Sequence, residues 1–361
     1  MKNLFRLEES RNVRPASWLT AAALVIAVGA AGAAASIAAG PGNAASAVKA
    51  PYPPKAAKFK HPKLKHGVLT IKGTNASDKI ALRLQAGQPD ILQVDVRDDG
   101  SADFSFERNT ITNIGIKAQG GADLVRIDEG NGVFTDTIPT TIDGGDGNDT
   151  IAGGKGIERL LGGNGNDSID GNGGNDLALL GAGNDTFVWD PGDGSDTIEG
   201  QAGTDTMRFN GANVAENVEL SANGNRLKFF RNPGNVTMDT AGVERVDFNA
   251  LGGADVVTVS DLTSTHVTNV NIDLAGTLGG ATGDGQPDRI AVNATNGNDA
   301  INASADAGLV KVSGLAPTIK ILHSQAANDR LEINTLAGRD TVNTIGLAGA
   351  IQLFVDGILA T

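Results

Sequence analysis

The chain has 361 residues, with 49 Gly, no Cys, only 2 Trp, 1 Tyr and 11 Phe, and a formal charge of -13. The missing cysteines exclude disulfide scaffolds, thiolate zinc sites and cysteine nucleophiles, and the few aromatics argue against a thick aromatic core. At 40% hydrophobic and 20% charged residues the composition does not fit a disordered acidic chain, so its glycine richness points to repeats.

Residues 1–47 read as an export signal. A basic stretch with Lys2, Arg6, Arg11 and Arg14 leads into an Ala-rich apolar run from Trp18 to Ala39. Small residues resembling a cleavage site follow at Ala45-Ser46-Ala47. A retained membrane anchor is the alternative, since the run is about long enough to span a bilayer; cleavage would leave no stable membrane insertion. Either way the remainder is expected outside the cytoplasm, secreted or attached at the surface.

Residues 48–66 combine four prolines with six lysines, Lys49, Lys55, Lys58, Lys60, Lys63 and Lys65. That composition predicts a semi-rigid extended spacer, or a strip that binds anionic cell-envelope polymers. The first 47 residues carry a net +2 and the spacer +6, which leaves -21 on residues 67–361. Such a balance argues against nucleic acid, which needs a basic footprint, and favours cations as partners.

From 67 to 143 short alternating segments such as NASDKIALRL (75–84) and ITNIGIKAQGGADLVRI (111–127) predict a β flank. Asp95, Asp99 and Asp103 around Gly100 are similar in outline to an EF-hand loop, but Arg97 and Phe106 occupy ligand positions. A hairpin turn is expected there.

Residues 144–208 fall into a nine-residue register: GGDGNDTIA (144–152), GGKGIERLL (153–161), GGNGNDSID (162–170), GNGGNDLAL (171–179) and LGAGNDTFV (180–188). After an insertion of Trp189-Asp190 come PGDGSDTIE (191–199) and GQAGTDTMR (200–208). Glycines at places one, two and four allow a tight turn with positive φ. Place six supplies a carboxylate at Asp149, Asp167, Asp176, Asp185, Asp196 and Asp205. Carbonyls with a hard carboxylate suit calcium, whereas zinc would ask for His or Cys. The last three residues of each unit predict a short strand with its middle side chain inward, so Ile151, Leu160, Ile169, Ala178, Phe187, Ile198 and Met207 form the expected core.

Two units make one coil of 18 residues. Asp149, Asp167 and Asp185 should therefore line one edge, joined by Asp205 after the insertion, with Asp176 and Asp196 on the other. Glu158 stands at place six of a degenerate unit, where a metal site should be weak or absent. Asp and Asn also favour tight turns, so a metal-free solenoid is the plain alternative. Carboxylates stacked at the coil spacing of about 4.8 Å would repel one another in it.

The units GGDGNDTIA and GGNGNDSID and the run GNDTFVWDPGDGSDTIEG resemble the RTX, or hemolysin-type, calcium-binding repeat. That resemblance implies a parallel beta-roll with calcium between turns. It further implies carbonyl ligands from the first and third places: Gly144 and Asp146, Gly162 and Asn164, Gly171 and Gly173, Leu180 and Ala182. Many proteins of that family leave the cell by a C-terminal signal, so their export route does not carry over to a chain with an N-terminal one.

Beyond the roll, residues 209–361 repeat a looser pattern. VERVDFNALGGADVVTV (243–259) aligns with 111–127, and similar segments occur at 286–304 and 327–345. The expected architecture is a continuous all-β solenoid, with two separate β-sandwiches as the alternative. Asp78, Asp123, Asp255, Asp288, Asp299, Asp329 and Asp340 lack the full glycine set and are expected to form turns rather than bind metal. No H-E-x-x-H or G-x-S-x-G occurs, and Trp189 is the only Trp or Tyr beyond residue 66. The expected function is thus a non-catalytic calcium-binding structural or adhesive module. A β-helix enzyme acting on extracellular polysaccharide is the alternative.

Overall fold

A computed structural model describes residues 58–360. The expected export segment and the first part of the spacer lie outside these residues. The described chain is a solenoid of two facing sheets, one of 15 strands and one of 14, which run without interruption through both flanks and the repeat. The changes of sequence pattern near 144 and 208 mark no break in either sheet. Among the described residues no helix is long and apolar enough to cross a membrane.

Coils stack as the repeat length dictates. In the larger sheet Arg159 pairs with Thr141 and with Leu177, one coil of 18 residues to each side, and Leu177 pairs with Thr197, 20 residues on. In the smaller sheet Thr150, Ser168, Thr186 and Thr206 align in the same way. All pairs here are parallel, and consecutive units alternate between the sheets. This explains why the similar segments 111–127 and 243–259 start on opposite sheets, with Asn113–Gly120 in the larger and Arg245–Asn249 in the smaller.

The strands are unequal. Ser168–Asp170 has the expected three residues, but Glu158–Asn164 has seven, because the extended conformation continues into the following glycines. The seven expected core side chains from Ile151 to Met207 are all at most 1% exposed. Contrary to the expectation from composition, the exit of the roll has an aromatic core. Trp189 stacks on Phe209 with centroids 3.9 Å apart, and Phe229 and Phe248 pack behind them. The two-residue insertion lengthens strand Thr186–Trp189 and buries the indole, whose Nε1 donates to Gly194 O. Phe209→Ala is expected to cost about 3–5 kcal/mol, measurable as a lowered denaturation midpoint in saturating calcium.

The flanks keep the coil path but insert antiparallel excursions. Asn217–Asn223, Arg226–Asn232 and Val236–Ala241 form one between two parallel strands of the larger sheet, and Ala300–Asp306, Leu309–Ser313 and Thr318–Leu322 another in the smaller. At the N-terminal end the basic spacer does not stay a free extended linker. Lys63–Lys65 pairs antiparallel with Val68–Lys72 through His66 and Gly67, both at positive φ. Two consecutive left-handed residues suit a two-residue hairpin turn, and lysines on an edge strand discourage pairing with another sheet. The turn through Asp95, Asp99 and Asp103 is a hairpin connection as expected: Arg97 pairs with Asp99 and Asp103, and Asp95 accepts the amides of Asp99 and Gly100.

Candidate metal centre

The carboxylates at place six form two ladders along the edges of the roll. On the first, the backbone N–H of Asp149 donates to Asp167 Oδ1 (2.8 Å), that of Asp167 to Asp185 Oδ1 (2.7 Å), and that of Asp185 to Asp205 Oδ1 (2.9 Å). On the second, Glu158 N donates to Asp176 Oδ1 and Asp176 N to Asp196 Oδ1. The stacking inferred from spacing is thus present on both edges. Asparagines at place five add an outer ladder, with Asn166 N donating to Asn148 Oδ1 and Asn184 N to Asn166 Oδ1.

Each aspartate commits only one oxygen. The Oδ2 atoms of Asp149, Asp167, Asp176, Asp185, Asp196 and Asp205 are buried without a hydrogen-bond partner. An unpaired buried polar atom is costly, and more so when charged. Burial, helped by like charges in neighbouring coils, pushes Asp205 up to about 6, Asp167 and Asp196 to about 7 and Asp176 to about 9; Asp149 and Asp185 are raised as well. At neutral pH this array wants either protons or a cation.

Where place one is glycine, it defines the space beside the carboxylate. A Cβ on Gly144 would lie 2.4 Å from Asp149 Oδ2 and 2.6 Å from Gly162 O of the next coil. On Gly162 it would lie 2.5 Å from Asp167 Oδ2 and 2.2 Å from Leu180 O; on Gly171, 2.3 Å from Asp176 Oδ2. An unpartnered carboxylate oxygen and a first-place carbonyl therefore converge on one point. The third-place carbonyls of Asp146 and Asn164 accept the amides of Gly121 and Gly147, leaving each a second lone pair. Among the described residues no three side chains of His, Cys, Asp or Glu gather at one point; the donors that converge are carboxylate and carbonyl oxygens. This all-oxygen set fits a hard divalent cation such as calcium.

The turns fall into two conformations that the sequence pattern did not separate. In all six roll turns ending in Asp, places two and four have positive φ, for example Gly163 at 112° and Gly165 at 134°. Where place two is not glycine the conformation persists, with Asn172 at 54° and Gln201 at 74°. Five turns without this left-handed pair turn the place-two amide onto their own acid instead. Gly154 N donates to Glu158 Oε2, Thr74 N to Asp78 Oδ2, Ala212 N to Glu216 Oε1, Thr295 N to Asp299 Oδ2 and Gln325 N to Asp329 Oδ2. Self-capping commits one carboxylate oxygen to the acid's own turn, although Glu158 Oε1 and Glu216 Oε2 stay buried without a hydrogen-bond partner. Glu158 belongs to this self-capped class. Its turn packs against residues 129–135 rather than another roll turn, with Lys155 N on Glu129 Oε2 and Gly156 N on Thr135 Oγ1.

Reading the sequence alone missed three parts of this arrangement. Glu244 Oε2 accepts the amide of Asp205 and closes the first ladder. Asp123 Oδ1 accepts the amide of Asp78, and Asp123 N donates to Asp149 Oδ1, so the ladder extends into the N-terminal flank. Beyond the second edge, Glu216, Asp255, Asp288 and Asp329 form a further ladder, amide to Oδ1. There the Arg231 guanidinium reaches Glu216 and supplies the positive charge itself. Only the two ladder positions Asp149 and Asp167, set by the 18-residue spacing, could have led to Asp123, and the 26 residues that separate it from Asp149 hide the register.

The family model of the RTX calcium-binding nonapeptide repeat matches residues 141–157, 153–187 and 192–213, in four copies. No curated protein matches the chain at a significant level. The chain therefore carries RTX-type calcium-binding repeats, set in the middle of an all-β solenoid.

Proposed function

We propose that this is an exported, non-catalytic calcium-binding module, structural or adhesive, whose coils 144–208 fold when calcium reaches them. The observation that supports it most is the set of six buried carboxylates, each with one oxygen left free, which at Asp149, Asp167 and Asp205 lies beside a carbonyl of the next coil. Asp149, Asp167, Asp176, Asp185, Asp196 and Asp205 would hold the ions, with carbonyls drawn from Gly144, Asp146, Gly162, Asn164, Gly171 and Gly173. Bound calcium would supply the positive charge that the facing carboxylates lack. Residues 67–143 and 209–361 serve as flanks that keep the ends of the roll covered, and the basic segment 48–66 would contact anionic envelope polymers.

Calorimetric titration of the full chain is expected to give about four to six ions if each is shared between neighbouring coils of the roll. The same protein is expected to leave a panel of polyuronates unchanged. Turnover abolished by a single point substitution would replace this reading with that of a polysaccharide-active enzyme.

A further inference from the structure

We infer that Asp123, in the N-terminal flank and outside the matched repeats, anchors an additional calcium site between turn 118–123 and turn 144–149. This rests on the reading of the roll as a calcium binder and extends it by one coil. Turn 118–123 reads Ala-Gln-Gly-Gly-Ala-Asp and keeps only one of the three template glycines in place. Its backbone is nevertheless that of a roll turn. Gln119 at place two has φ 84° and Gly121 at place four has φ 115°, the left-handed pair of the metal-type turns.

A left-handed glutamine is strained, and such strain persists only where surrounding structure demands it. The demand here comes from stacking. Gly121 N donates to Asp146 O at 2.8 Å, as Gly165 N donates to Ala182 O at 2.8 Å. A Cβ on Gly145 would lie 2.1 Å from Gln119 O, as one on Gly163 would lie 2.0 Å from Gly145 O. The flank turn thus lies on the first roll turn as the roll turns lie on each other.

The carboxylate behaves accordingly. Asp123 is 3% exposed; its Oδ1 takes the amide of Asp78, and its Oδ2 is buried with no partner. Among the described residues no Lys or Arg pairs with it. The neighbouring Asp78 makes the opposite choice, its Oδ2 being capped by Thr74 N, so the column of metal-type turns ends at Asp123. Place one is Ala118, and the roll itself accepts Leu180 there, so a glycine at that place does not decide the turn type. Asp255 shares the left-handed pair, at Leu251 and Gly253, and the unpartnered oxygen. It adjoins Glu216, which already has the Arg231 guanidinium beside it, so the inference stays with Asp123.

The test is calcium stoichiometry of the full chain by calorimetry, comparing Asp123→Asn with Asp78→Asn. Asparagine keeps the acceptor for the Asp78 amide and removes the second carboxylate oxygen. Asp123→Asn is expected to bind one ion fewer per chain, and Asp78→Asn the same number as the unmodified protein. An unchanged count in Asp123→Asn overturns the inference while leaving the roll as a calcium binder. Should that variant not fold, crystals of the unmodified chain grown with terbium in place of calcium decide the matter. An anomalous peak beside Asp123 supports the site, and peaks at Asp149 and Asp167 without one there overturn it. A chain that binds no calcium at all overturns the functional reading on which the inference depends.

Discussion

In excess EGTA at neutral pH, coils 144–208 are expected to lose their strand signal in far-UV circular dichroism, and millimolar calcium to restore it. The roll then has six buried carboxylates, spaced one coil apart along narrow edges, which must either ionise without a counter-charge or take up protons. When a site exists only in the folded chain, the free energy of metal binding becomes folding free energy. The flanks, whose cores are built from Ile, Val, Leu and Phe, are expected to keep their strands, so the change should be partial. An identical spectrum in both solutions would remove calcium from the account of stability.

The same prediction has a pH arm with a definite sign. The folded-state values of these carboxylates lie above the unfolded value of 3.8: Asp205 at about 6, Asp167 and Asp196 at about 7, Asp176 at about 9, each raised by burial. The folded metal-free roll therefore binds more protons than the unfolded chain between about pH 4 and pH 9. Its stability is fully present below about pH 4 and is lost as pH rises through that window. Acidifying the EGTA sample from pH 7 to pH 4 is expected to recover strand signal. With calcium present the trend reverses, because the ion requires the ionised carboxylates.

The second large effect concerns the glycine at place four. Gly165→Ala is expected to cost about 3 kcal/mol or more in saturating calcium. The residue has φ 134°, and a Cβ there would lie 2.0 Å from Gly147 O in the preceding coil. The cost combines a left-handed backbone penalty with an overlap that only a backbone shift relieves. Gly224→Ala is the matched control. It has φ 66° in a hairpin turn with open space around the missing Cβ, so about 1 kcal/mol is expected. Urea denaturation of both variants checks the pair, and equal costs would mean that coil spacing does not depend on the absent side chain.

These predictions show which parts of the molecule could be read from residues and which could not. The nine-residue period placed the core from Ile151 to Met207 and the edge columns of Asp149, Asp167 and Asp185, because both follow from spacing alone. The flank turns looked alike, since Asp78, Asp123 and Asp329 all sit at the end of small polar turns. Their difference lies in the sign of φ at a preceding residue such as Gln119, which side-chain identity does not announce. The Arg231–Glu216 pair was equally invisible: the arginine comes from an antiparallel excursion, and no local pattern tells which acid a distant strand will meet. The aromatic cluster was missed because composition averages over the chain, whereas Trp189, Phe209, Phe229 and Phe248 collect at one place.

The buried ladder has a direction. In every rung the amide belongs to the earlier coil and the carboxylate to the later one, from Asp78 N on Asp123 through Asp185 N on Asp205 and Asp205 N on Glu244. Shortening the chain from its two ends is therefore not equivalent. A chain that stopped at residue 188 would take from the Asp185 amide its Asp205 acceptor and leave that donor open to solvent. One that began at 141 would free only Asp149 Oδ1, an acceptor that a cation or water can take. During synthesis the earlier coils emerge first and wait for the next carboxylate, so the C-terminal flank, with Glu244, is the end from which the stack can close.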